Sequence, residues 1–150
     1  HNYNTYLENP VGYFNAIKKE INNGFVSYAY FRWHAAGDII DDLYFAGMIN
    51  LANDLPGTQF LAFTKKFEIV NRFLDTGNIL PENLHIVYSS WGKEFNVENP
   101  YSLPVAYVKF KDENKNGDIP ESAVECSGNC TSCLQRWQIK NGESVVFNKH

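Results

Sequence analysis

Residues 56–90 read PGTQFLAFTKKFEIVNRFLDTGNILPENLHIVYSS. Pro56-Gly57 turns the chain. Residues 58–66, TQFLAFTKK, are then an apolar run short enough for a buried strand. Over residues 67–77 the period changes: Ile69, Val70, Phe73 and Leu74 fall on one helical face, and Gly77 is the stop signal. Pro81 introduces a further apolar strand, Leu84 to Ser90. The strand, the helix and the second strand follow one another, and both strands are nearly continuous in apolar residues rather than alternating. That is the pattern of a parallel pair buried on both faces beneath a crossover helix.

The same alternation extends in both directions. Asn9 is a cap and Pro10 suits a first helical turn, with Phe14, Ile17 and Ile21 at helical spacing before Gly24. FVSYAYFRWH, residues 25–34, reads as a strand broken by Gly37 and Asp38, and Asp41 to Asn53 as a helix. Downstream, Leu103 to Phe110 reads as a strand, KDENKNGDIPES as a polar loop, Leu134 to Ile139 as a short helix and SVVFNKH, residues 144–150, as a last strand. The expectation is a single α/β domain over residues 1–150. It consists of a mostly parallel sheet covered by helices, arranged as a partial (β/α) barrel. No internal repeat, low-complexity tract or linker interrupts it.

Bulk properties narrow the function. The 150 residues are enough for one real core, and aromatics at 15% favour a packed fold over disorder. A net charge of -4 argues against broad phosphate-driven nucleic-acid binding while leaving room for a local basic cleft. No apolar run approaches the ~20 residues that cross a bilayer, and no secretory signal is visible. The cysteine count is three, odd and clustered, which suits a reducing compartment better than a disulfide framework. A cytoplasmic location without a membrane partner is expected. The chain opens on His1 rather than Met, so a processed or truncated start is expected.

In parallel α/β folds ligands sit beyond the carboxyl ends of the strands. Those ends here carry Arg32, His34 and Asp38; Thr64, Lys65 and Lys66; Ser89, Ser90 and Trp91; Lys109 and Lys111; and Lys149 with His150. A parallel sheet would bring them to one rim. Arg32 and His34 alternate on a strand and share a face, with Trp33 opposite. Asp38 is their natural partner. One reading is an anion clamp (Arg32, Thr64, Lys65, Ser89) for a small anionic substrate, beside His34 and Asp38 as proton-handling catalytic groups. The other is a structural Arg-His-Asp network.

All three cysteines lie in CSGNCTSC, residues 126–133. Gly128 and Asn129 allow the tight turn that gathers sulfurs. Cys126, Cys130 and Cys133 suit a zinc site completed by His150, His34 or a ligand from elsewhere. They equally suit an iron–sulfur cluster on three thiolates, and C-x3-C-x2-C is also the spacing of radical S-adenosylmethionine enzymes. One disulfide plus a free thiol is the third reading. Asp112 to Asp118 matches the first half of a calcium loop, but Ala123 stands where the bidentate glutamate is needed.

FRWHAAGDI, PGTQFLAFTKKFEIVN, LPENLHIVYSSW, NPYSLPVAYV and CSGNCTSC, then Trp137 and KNGESVVFNKH, occur in this order and span nearly the whole chain. Together they resemble the phage-associated gene product 88 family. The resemblance brings no settled activity. It implies a strand order like a partial radical-SAM barrel, and it implies functional weight at Arg32, His34, Gly37, Asp38, Thr64, Lys65, Cys126, Cys130, Cys133 and His150. It further implies a cysteine-rich segment before the helix near Asn9, which this chain lacks, and in some members a cysteine where Arg136 stands. The reading is a Cys-ligated metal centre beside a polar cleft, with S-adenosylmethionine as a candidate cofactor. Its rivals are a zinc-stapled binding module and a metal-free interaction protein. Substrate, catalysis and oligomeric state are left open.

Overall fold

The computed structural model describes residues 2–23, 29–33, 37–93, 96–126 and 139–148. The helices are α1 (Asn2–Glu8), α2 (Pro10–Asn23), α3 (Asp42–Asp54) and α4 (Phe67–Asp75). The strands are β1 (Tyr30–Arg32), β2 (Gln59–Thr64), β3 (Leu84–Ser90), β4 (Val105–Lys109), β5 (Val124–Glu125) and β6 (Ser144–Asn148). Among the described residues these strands form one sheet in the order β1-β2-β3-β4-β6-β5. Every pairing is parallel. The fold class is as expected, α/β with a parallel sheet. The sheet is open, with β1 and β5 at its edges, so the barrel-like arrangement does not close.

Local chemistry sets the elements. Asn9 accepts from Gly12 N–H at 3.0 Å and starts α2. Asp41 accepts from Tyr44 N–H at 2.7 Å and caps α3. The helix face of the sheet carries Phe60 and Ala62 of β2 with Leu84, Ile86 and Tyr88 of β3. These pack on Tyr44, Phe45 and Met48 of α3 and on Ile69 and Val70 of α4. Each large side chain removed from water in this way contributes about 1.5–3 kcal/mol. Gly47 lets α2 approach α3 closely, since a Cβ there would lie 2.3 Å from the Phe14 ring.

Two elements differ from expectation. α1 precedes Asn9, and its Tyr6 is buried and donates to Asp41 Oδ1 at 2.9 Å. Burial, then the carboxylate, pushes its phenol up to about 12. β5 lies within the stretch between the polar loop and the cysteines, and β6 inserts between it and β4. The strand expected over residues 25–34 is present at Tyr30–Arg32, and residues 24–28 and 34 lie outside the described residues. So does the expected helix from Leu134, apart from Ile139.

The opposite face of the sheet has a smaller cluster: Leu61, Val87, Ala106 and Val145, with Phe63, Ile139 and Phe147 against it. His85 shares that face and stands 2.7 Å from Gln59 Oε1 through Nε2. Burial lowers the His85 pKa. The unfolded chain therefore binds the proton more readily, and stability should fall as pH drops below about 6.5. Urea denaturation between pH 7.5 and 5 should show that loss. His85→Gln should flatten the slope, and an unchanged slope would show that the acid sensitivity lies elsewhere.

Candidate functional site

Alternation along the strands decides which side chains meet. Thr64 faces the helices and is buried, 1% exposed. Its hydroxyl donates to Asp38 Oδ1 at 2.5 Å and its Oγ1 accepts from Lys66 N–H at 2.9 Å. Asp38 also accepts from Ile39 N–H at 2.7 Å and, through Oδ2, from Lys65 N–H at 2.8 Å. The sequence brought Asp38, Thr64 and Lys65 to one place, and the structure does gather them. Asp38 there ties the chain after β1 to the turn between β2 and α4. Three donors converge on this one carboxylate. That is a structural task close to the rim.

The adjacent residues point to the other face of the sheet. Arg32 from β1 lies over the Phe63 ring of β2, with Cζ 5.1 Å from the centroid. Lys65 places Nζ 4.3 Å from the centroid of Trp91, just past β3. Both are cation–π geometries. Trp33, opposite Arg32 as the alternation predicts, is buried and packs edge-on to Phe31 and Phe14.

Arg32, Phe63, Ser89 and Trp91 line one cavity of about 290 Å³ at the carboxyl ends of β1–β3. Its remaining wall is Ala106 and Val108 of β4 with Phe147 and Asn148 of β6. The rim expected from strand ends therefore exists for Arg32 and Ser89. Phe63, Val108 and Phe147 were not foreseen. Each alternates with residues that face the helices, which is the signal that would have placed them.

Cys126 is half-buried and directly follows β5. Its N–H donates to Val146 O at 2.8 Å, so it is bonded to the residue before Phe147 and Asn148 in the cavity wall. Asn148 in turn donates to Glu125 Oε1 at 2.7 Å. His34, Cys130, Cys133 and His150 lie outside the described residues. Among the described residues no three His, Cys, Asp or Glu side chains gather as a metal set. The half calcium loop is occupied by its own backbone: Asp112 accepts from Asn114 N–H and Asn116 from Phe110 N–H.

A second cavity of about 270 Å³ also borders Trp91 and is lined in addition by Lys93, Phe110 and Lys115. Gly92 builds it. The residue has φ 91°, and Lys93 N–H donates to Lys115 O at 3.1 Å. The loops after β3 and β4 are thereby locked together, with a lysine on each.

A family model described as Gene product 88 matches residues 1–143 of the chain. No curated protein and no solved structure matches it. Among the described residues no helix is long and apolar enough to cross a membrane.

Proposed function

The chain belongs to the Gene product 88 family, a phage gene product family, and on that footing we propose that its cleft holds a small anionic molecule beside a cysteine-ligated metal centre. The single observation that carries this reading is the meeting of Arg32 and Ser89, from separate strands, in one aromatic-walled cavity next to the strand that Cys126 continues. Arg32 supplies a positive charge and Ser89 a hydroxyl, while Phe63 and Phe147 form an apolar wall beside them. The donor set fits a metal: three thiols within eight residues, the first of them placed beside the cleft wall. Cys126, Cys130 and Cys133 would hold it, with His150 or His34 as a further ligand. An iron–sulfur centre would supply electron transfer there, as in radical-SAM-like enzymes, and the anion would then be the carboxylate of S-adenosylmethionine. His34 is the remaining proton-handling candidate, since Asp38 is engaged by Thr64 and two backbone amides.

A second reading is favoured by the shortness of β5. Two residues make a weak edge strand, and a structural zinc just after it would pin that edge to β6.

Anoxic purification with iron, sulfide and zinc analysis separates the two. Iron and sulfide, with S-adenosylmethionine retained in equilibrium dialysis and weakened at least tenfold by Arg32→Gln, support the enzyme-like centre. Stoichiometric zinc with unfolding on chelation supports the staple. Protein that binds neither metal, and retains S-adenosylmethionine equally with and without Arg32, would remove the proposal.

A further inference from the structure

The cleft is not one chamber but two. Trp91 is a wall of both, with Arg32 in the first and Lys93 and Lys115 in the second. No carboxylate is among the described residues that line either, although the chain carries a net charge of -4. Arg32, Lys93 and Lys115 are the charged side chains among those lining residues. The second chamber is also built rather than incidental. Gly92 sits at a positive φ where a Cβ would meet Lys115 O at 2.5 Å, and the Lys93 amide is bonded to that same carbonyl. Lys93 and Lys115 thus line one chamber together with Phe110, and an anion there would be attracted to both.

We propose that the cleft takes a two-ended anion: a planar molecule lying along Trp91, with one negative group at Arg32 and a phosphate at Lys93 and Lys115. This rests on the reading of Arg32 as an anion anchor, and it puts a phosphate-bearing carboxylate in place of S-adenosylmethionine as the ligand class. The chemistry differs at the two ends. Arg32 offers one planar fork suited to a carboxylate. The paired lysines are compact point charges on flexible stems and suit the higher charge of a phosphomonoester. Trp91 borders both chambers as an aromatic surface beside which a ring can lie, and Lys65 Nζ, 4.3 Å from its centroid, adds a further cation there.

The probe is 4-carboxyphenyl phosphate, with benzoate and phenyl phosphate as its two halves, titrated calorimetrically at low and moderate salt. The full probe should bind at least tenfold tighter than either half and weaken as salt rises. The Arg32→Gln protein should bind it no better than phenyl phosphate, and the Lys93→Gln/Lys115→Gln protein no better than benzoate. Both variants change rim side chains, and their circular dichroism should match that of the parent. If benzoate binds through Arg32 but the phosphate adds nothing, the second chamber is not a phosphate site and the two-ended ligand is overturned, while the Arg32 reading stands. If phenyl phosphate binds through the lysines and Arg32→Gln changes nothing, the Arg32 reading falls and the two-ended ligand falls with it. Absence of binding by all three compounds overturns both.

Discussion

Replacing Asn83 with alanine should lower stability by up to about 3 kcal/mol, and the cause is a buried amide that bridges the end of α3 and the turn into β2. Asn83 is buried between α3 and β3, and its Nδ2 donates to Ala52 O at 2.8 Å, Leu55 O at 3.0 Å and Thr58 O at 2.9 Å. Those oxygens are the last acceptors of α3 and the turn into β2. Helix ends leave such carbonyls without partners inside the helix. Ala52 O and Leu55 O also accept from the N–H groups of Leu55 and Thr58, so truncation falls hardest on Thr58 O, and a buried polar group left without its partner costs about 1–3 kcal/mol. For a chain of this length, about 3 kcal/mol corresponds to a melting temperature roughly 6–12 °C lower. Asn83→Asp should be worse, because a carboxylate would face three carbonyl oxygens in a buried site. A thermal melt of both variants checks the order. A loss below about 1 kcal/mol for Asn83→Ala would mean that water replaces the amide and that the α3–β2 turn is looser than the hydrogen bonds imply.

Gly92→Ala is the second large effect and is expected at about 3 kcal/mol, with a functional component as well. At φ 91° an alanine is strained by about 1–3 kcal/mol wherever it is placed. Here its Cβ would also sit 2.5 Å from the Lys115 carbonyl and 3.1 Å from the Phe110 ring. Backbone cannot yield as a side-chain tip can, so the loop after β3 must move. The contrast is Gly77, also at positive φ but with nothing within 4 Å of a built Cβ, where only the conformational strain applies. Gly77→Ala should therefore cost less than Gly92→Ala. Gly92→Ala should also weaken phenyl phosphate binding, which Gly77→Ala should leave alone. Equal losses from the two glycines would show that the loops are not interlocked.

The β2–α4–β3 unit was legible because its signals are local. Pro56-Gly57, the change of period after Lys66, and Gly77 all act within a few residues. α1 was not legible, since Tyr6 is its one buried core residue among described side chains and it offers no repeat. β5 could not be read either: two exposed residues make a strand only because β6 is there to pair with. At the site, polarity near strand ends correctly marked Arg32 and Ser89 as neighbours. It also marked Asp38, whose part in holding the β2–α4 turn depends on a contact across 26 residues to Thr64. Phe63 and Phe147 were passed over because an apolar side chain on a strand reads as core until the opposite face is known to carry a cavity.

The insertion of β6 between β4 and β5 also has a consequence in time. A chain leaves the ribosome from its amino end, and domains form as their parts emerge. The first four strands of the sheet can assemble in the order in which they are made. β5 cannot join them in that way, because the strand it pairs with among the described residues is translated about twenty residues later. Until Val146 has been synthesised, the amide of Cys126 has no acceptor to fix it. The pairing of β5, and with it the backbone bond of Cys126 just after it, therefore waits for β6.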